Sequence, residues 1–143
     1  MSTVLVVDGA NVVGSRPDGW WNDRPGAARR LHEQLMVADT SYDVVVLVLE
    51  GAAKTGVGAG RDGHVRTVHA PGNGDDTIVA QARAASERGD RVVVVTADRL
   101  LRARVAAYGD VQSPTWLKPV PLADSARCAT LSGQTWVCAS MIT

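Results

Sequence analysis

The chain alternates short β-branched runs with stretches whose apolar positions recur every three or four residues. Residues 3–7, 43–49, 65–69 and 91–96 read as buried parallel strands, each dominated by Val or Leu and bounded by polar or turn residues. Between the first two, residues 25–39 carry Leu31, Leu35 and Ala38 at helical spacing, with Asp23 or Arg24 placed to cap and Pro25 in the first turn. Residues 75–88 set Ile78, Ala82 and Ala85 on one face and stop at Gly89; residues 98–108 turn Leu101, Val105 and Tyr108 inward and close at Gly109. A short strand near Val111 follows. The pattern predicts an α/β fold with a mainly parallel sheet of four to five strands, helices on both faces and right-handed crossovers.

Two loops break the alternation. Residues 14–24 mix turn formers, arginines and the adjacent Trp20 and Trp21, and residues 51–64 are glycine-rich. One tryptophan is expected to pack under the first helix, with stacking on a base as the sharper alternative. The glycine-rich loop reads as a connector beside the site.

A length of 143 residues suits one domain with a sizeable core, and 45% hydrophobic with 21% charged residues is the composition of a globular protein. The longest apolar run, 44–49, is too short to cross a bilayer, and no basic segment precedes the first strand, so a cytoplasmic protein without membrane contact is expected. Cys128 and Cys138 lack metal-ligand spacing. The net charge is zero, yet nearly all basic residues are arginine, which suits bidentate phosphate contact. Codon bias would give the same excess.

The acids change the picture. Asp8, Glu50, the Asp75-Asp76 pair and Asp98 each follow a predicted strand, and the crevice beyond the carboxyl ends of parallel strands is where such folds bind ligands. Two carboxylates about 4 Å apart repel by roughly 4 kcal/mol at an effective dielectric near 20. A divalent cation is the usual remedy. With these five acids neutralised, the remaining 10 face 15 bases, a balance that attracts a polyanion. The bland reading is that Asp75, Asp76 and Asp98 merely cap helices, worth about 0.5–2 kcal/mol each.

Other motifs fail on context. Residues 58–63 match G-x-G-x-x-G, but a loop precedes and a strand follows. Lys54-Thr55 lacks the glycine a phosphate-binding loop needs before its lysine, and Ala10 stands where aspartyl-phosphate enzymes need a second acid. His32, His64 and His69 are scattered, with only His69 near the predicted site.

Asp8-Gly9-Ala10-Asn11 after the first strand, Gly74-Asp75-Asp76-Thr77-Ile78-Val79-Ala80 opening a helix, and Val95-Thr96-Ala97-Asp98-Arg99 after a later strand together resemble the NYN branch of the PIN-like nucleases, above all its bacterial YacP-like members. The resemblance covers residues 3–117. It implies a PIN-like Rossmannoid three-layer sandwich over residues 1–117, with 118–143 as a tail, and Mg²⁺- or Mn²⁺-dependent endonucleolytic cleavage of single-stranded or structured RNA. Carried over, Asp8, Asp76 and Asp98 would be the core catalytic and metal-binding acids, with Asp75 beside them. Asn11 would complete the first motif by holding a water or phosphate, and Glu50 matches an acid that often ends the second strand. Arg102 stands one turn after Asp98 where some relatives have another acid, which favours one metal over two.

Such chemistry accounts for the residue types, since a carboxylate-held Mg²⁺ both activates water and stabilises charge on phosphate. Arg16, Arg24, Lys54, Arg61 and Arg99 are the candidate substrate-phosphate contacts flanking the acids. Two rival readings stay open: a non-catalytic RNA-binding or interaction module with the same fold, and a nucleotide pyrophosphohydrolase or phosphatase. The tail 118–143 has no clear period, leaving an added strand, a homodimer contact or disorder equally open.

Overall fold

The computed structural model describes residues 2–15, 19–37 and 42–117. Arg16, Ala38 and the tail 118–143 lie outside the described residues. Five strands run parallel: β1 (Thr3–Asp8), β2 (Val44–Leu49), β4 (Val65–His69), β5 (Arg91–Val95) and β6 (Asp110–Gln112), while β3 (Gly60–Asp62) pairs antiparallel with β4. Their order is β3-β4-β2-β1-β5-β6, so β1 lies at the centre with β2 and β5 in parallel register on either side.

Valine-rich strands buried on both faces need two apolar layers, and the helices supply them. Leu5, Val7, Val45 and Leu47 point toward α1 (Gly9–Gly14) and α2 (Arg24–Val37), packing on Val12, Ala28, Leu31 and Leu35. The alternate residues Val4, Val6, Val46, Val92 and Val94 pack on Ile78, Ala82 and Ala85 of α3 (Gly74–Glu87) and on Leu101 and Val105 of α4 (Arg99–Val105). Each fully buried Val, Leu or Ile contributes about 1.5–3 kcal/mol. The result is the expected three-layer α/β sandwich, with one strand more than expected. Among the described residues no helix is long and apolar enough to cross a membrane.

Asp23 caps α2 by accepting from the Gly26 amide at 2.9 Å, as its place before Pro25 suggests. Tyr108 is half-buried against the second core and Trp20 against the first, whereas Trp21 is 59% exposed.

Two elements depart from the expected pattern. Residues 9–14 form α1, too short and too glycine-rich to show a helical period, because the Asp8 carboxylate caps the turn and the chain passes hard against β2: a Cβ on Gly9 would lie 2.6 Å from the Val48 carbonyl oxygen. The supposed connector 51–64 contains a 3₁₀ turn (Gly51–Gly56) and the edge strand β3, which returns through Gly63 at φ +56°, a conformation that favours glycine.

The 3₁₀ turn seats on the start of α2 only because residue 56 has no side chain. A Cβ there would stand 2.0 Å from the Pro25 carbonyl oxygen, which is backbone and cannot swing aside. Gly56→Ala should therefore lower stability by about 1–3 kcal/mol, the scale of forced overpacking, with a lower urea midpoint. An unchanged midpoint would mean that this turn is not held against α2.

Candidate active site

β1, β2 and β5 end side by side, and the residues just past them form one edge. Asp8, the last residue of β1, is only 7% exposed. One carboxylate oxygen accepts from the Asn11 backbone amide at 3.3 Å and the other from the Thr96 hydroxyl at 3.0 Å. Thr96, fully buried just after β5, also accepts from the Asp98 amide at 3.2 Å. The Asn11 side-chain oxygen accepts from the Ala97 amide at 3.0 Å, and Asp98 caps α4 by accepting from Leu101 at 3.0 Å. These bonds stitch the start of α1 to the turn between β5 and α4.

Glu50, directly after β2, builds the other side. Its carboxylate accepts from the Gly74 amide at 2.6 Å, and the Asn73 side chain accepts from the Asp75 amide at 2.8 Å, so α3 begins at the same edge. A Cβ at residue 74 would fall 2.8 Å from the Glu50 oxygen, so glycine keeps this contact open.

Burial, with smaller contributions from the negative charges of Asp75 and Glu50, pushes the Asp8 carboxyl up to about 6, against the opposing effect of its hydrogen bonds from Thr96 and Asn11. Asp75 is also raised: partial burial leads, followed by the charges of Asp98 and Glu50, with Arg104 opposing. Asp8, Glu50, Asp75 and Asp98 thus share one electrostatic neighbourhood. Asp76 does not sit as expected. Its side chain is 75% exposed and pairs with Arg104 at 3.0 Å, because successive helix positions point about 100° apart and only one of an adjacent acidic pair can face the strand ends. Geometry therefore favours Asp75 where the sequence motif favoured Asp76.

Among the described residues, no three acidic, histidine or cysteine side chains are grouped closely enough to hold one ion between them. The donors at this edge are all oxygen, and no cationic side chain is ion-paired with Asp8, Glu50 or Asp98 among the described residues. Such a set fits Mg²⁺, which takes one or two carboxylates and keeps several waters. Asp8 is the most committed of these acids, with both oxygens accepting hydrogen bonds, while Glu50 and Asp98 each commit one oxygen to a helix start.

The expected phosphate contacts divide. Arg24 lies 5.3 Å over the Trp20 ring and, with Glu50, Ala10 and Gly72, lines a cleft of about 370 Å³ beside the acids. Arg99 is exposed next to Asp98. Lys54 is spent on the Ala70 carbonyl at 3.0 Å. Arg61 is misplaced: the β3–β4 hairpin carries it back toward the starts of the strands, where it lines a different groove with Ser2 and Val4. His69, the one histidine expected near the site, ends β4 beside Leu49 and bonds the Val57 carbonyl at 2.7 Å. Thr96 and Arg104 were not among the candidates. Thr96 carried two signals, a hydroxyl ending an unbroken valine run and a place in the motif that leads to Asp98. A second groove, of about 500 Å³, meets the cleft at Ala10 and runs over Asn11, Ala97 and Ser113.

A central β1, parallel neighbours and helix starts converging on one acidic edge match a PIN-like α/β fold. No family model matches the chain, and no curated protein matches it. Among solved structures it is similar to that of Rae1 (YacP) from Bacillus subtilis, a W164L mutant. The TM-score is 0.64 at 20% identity, covering 79% of this chain and 70% of that one. The likeness supports the YacP-like form of the fold.

The raised Asp8 carboxyl has a definite sign in stability. Its folded-state pKa of about 6 exceeds the ordinary 3.8, so the native state holds the proton more tightly; its contribution is fully present below pH 3.8 and lost as pH rises through 6. The difference is on the order of 3 kcal/mol. In chelator, the wild-type protein should gain stability relative to Asp8→Asn when pH drops from 7 to 5, as read from urea midpoints. Parallel profiles for the two proteins would refute a strained Asp8 charge.

Proposed function

We propose that the protein is a metal-dependent endoribonuclease acting on RNA at the edge formed by Asp8, Asp75 and Asp98. The observation that carries this reading is the buried Asp8 carboxylate, held by two neutral donors and near the negative charges of Asp75 and Glu50, with no cation paired to it among the described residues. A bound Mg²⁺ or Mn²⁺ would supply charge stabilisation at phosphate and a nucleophilic water near neutral pH. Asp8, with Asp75 or Asp98, would hold it through one or two carboxylates and several waters, and one ion suits the presence of Arg102 on α4. Thr96 orients Asp8. Asn11, fixed through its oxygen to Ala97, offers its amide nitrogen toward a phosphate or water. The cleft with Arg24 and the groove over Asn11 give an RNA strand a path across the acids, with Arg99 beside it.

A second reading has its own support. Asp8, Asp98 and Glu50 each accept from an amide at a helix start, which is a structural use sufficient for a non-catalytic RNA-binding module of the same fold. Turnover separates the two.

Purified protein should cleave single-stranded RNA with Mg²⁺ or Mn²⁺, stop with EDTA, and work poorly with Zn²⁺, for which all-oxygen ligands are unsuited. Free nucleotides should be spared. Asp75→Asn should lose about 100-fold or more in kcat/KM, the scale of removing one electrostatic support of a transition state. Asp76→Asn should stay within about fivefold, since it breaks only an exposed ion pair. Cleavage undiminished by chelator, or Asp75→Asn at wild-type rate, would end this reading, and binding without turnover would leave the second.

A further inference from the structure

We propose that a second, arginine-rimmed groove at the opposite end of the sheet binds the phosphate backbone of RNA away from the acidic edge. The choice of RNA as the polyanion rests on the proposed activity. α3 packs chiefly on β1, β5 and β2, and beside it the sheet holds a groove of about 370 Å³ with Val44 and Val46 in its floor and Arg61, Arg66 and Arg88 on its rim.

Arg61 and Arg66 are direct partners in the β3–β4 ladder. Directly opposed side chains of an antiparallel pair share a face, and like charges so placed destabilise the pair. Among the described residues, no acid is ion-paired with either. Arg61 donates to the Gly63 carbonyl at 3.0 Å and Arg66 to the side-chain oxygen of Gln81, both neutral acceptors that aim a guanidinium without discharging it. Arg88 is paired with Asp90 at 3.2 Å, and the other oxygen of Asp90 accepts from the Ser2 amide. Three guanidinium groups against one committed carboxylate leave an excess of two positive charges. Guanidinium is suited to bidentate phosphate contact, and the partly exposed Val44 offers a small apolar contact to a ribose. Small anions would satisfy the charge alone; a nucleic-acid strand also sets a sugar against the partly exposed Val44 and can reach all three guanidinium groups.

The groove lies one strand length from the acids, roughly 15–20 Å, so it extends a footprint instead of enlarging the reaction site. It would hold a long RNA while the acidic edge acts.

Titration of fluorescein-labelled single-stranded RNA against the full chain, in EDTA over a range of salt, tests this. In Arg61→Ala/Arg66→Ala, affinity should fall and the log–log salt slope should become shallower by about 1.4, or 0.7 for each of two phosphates. Arg61→Lys/Arg66→Lys should keep the wild-type slope. The thermal midpoint of the alanine variant should equal or exceed that of wild type, since the opposed charges are gone. An alanine variant with wild-type affinity and slope overturns the proposal, as does wild-type protein that binds no RNA. Competition by inorganic phosphate as effective as by unlabelled RNA, at equal phosphate concentration, would also overturn it. Because chelator removes turnover from the measurement, a failed groove and a failed nuclease are told apart.

Discussion

The hydrogen bond between the Thr96 hydroxyl and the buried Asp8 carboxylate holds the functional edge together. It joins the ends of β1 and β5, neighbours in the sheet but 88 residues apart in the chain, at the point where the connections switch from one side of β1 to the other. The same hydroxyl accepts from Asp98, so one side chain sets two of the acids. A hydroxyl is neutral, and this is what gives the bond its chemical meaning. An arginine in its place would have discharged Asp8 and left nothing for a cation to answer.

Capping and chemistry are served by the same atoms. The starts of α1, α3 and α4 meet at this edge, each with an acidic residue among its contacts, and the partial positive charge of helix starts offsets part of the repulsion among the carboxylates. Burial first, and the remaining repulsion after it, still raise the Asp8 and Asp75 carboxyls. Replacing one of these acids by its amide thus separates the two uses, since an amide can still cap but cannot carry the charge.

Much of the fold was legible because buried parallel strands are written as unbroken valine runs and the helices repeat their apolar residues regularly. β2, β4, β5 and the inward faces of α3 and α4 follow from that alone. The parts not legible depend on contacts between distant residues. α1 exists through its cap and its glycine contact with β2; β3 exists only as a partner for β4. At the site, the placing of Asp8, Glu50 and Asp98 just past strands followed from the sequence, but the difference between Asp75 and Asp76 depends on the rotation of α3 and on Arg104, 28 residues away. Arg61 was misjudged for a related reason. Its loop follows a strand that ends at the site, yet the hairpin carries the chain back along the sheet.

Both margins of the sheet are three-residue strands, β3 and β6, and they carry Arg61, Asp62 and Asp110. Gly60 enters β3 at φ +136°, far from the extended backbone a docking strand would match. Short, charged and irregular borders offer little template to an incoming strand. A sheet this rich in valine would otherwise invite runaway stacking of copies in a crowded solution. Its borders turn that tendency aside, and any association between copies is left to side-chain surfaces, where it can be specific.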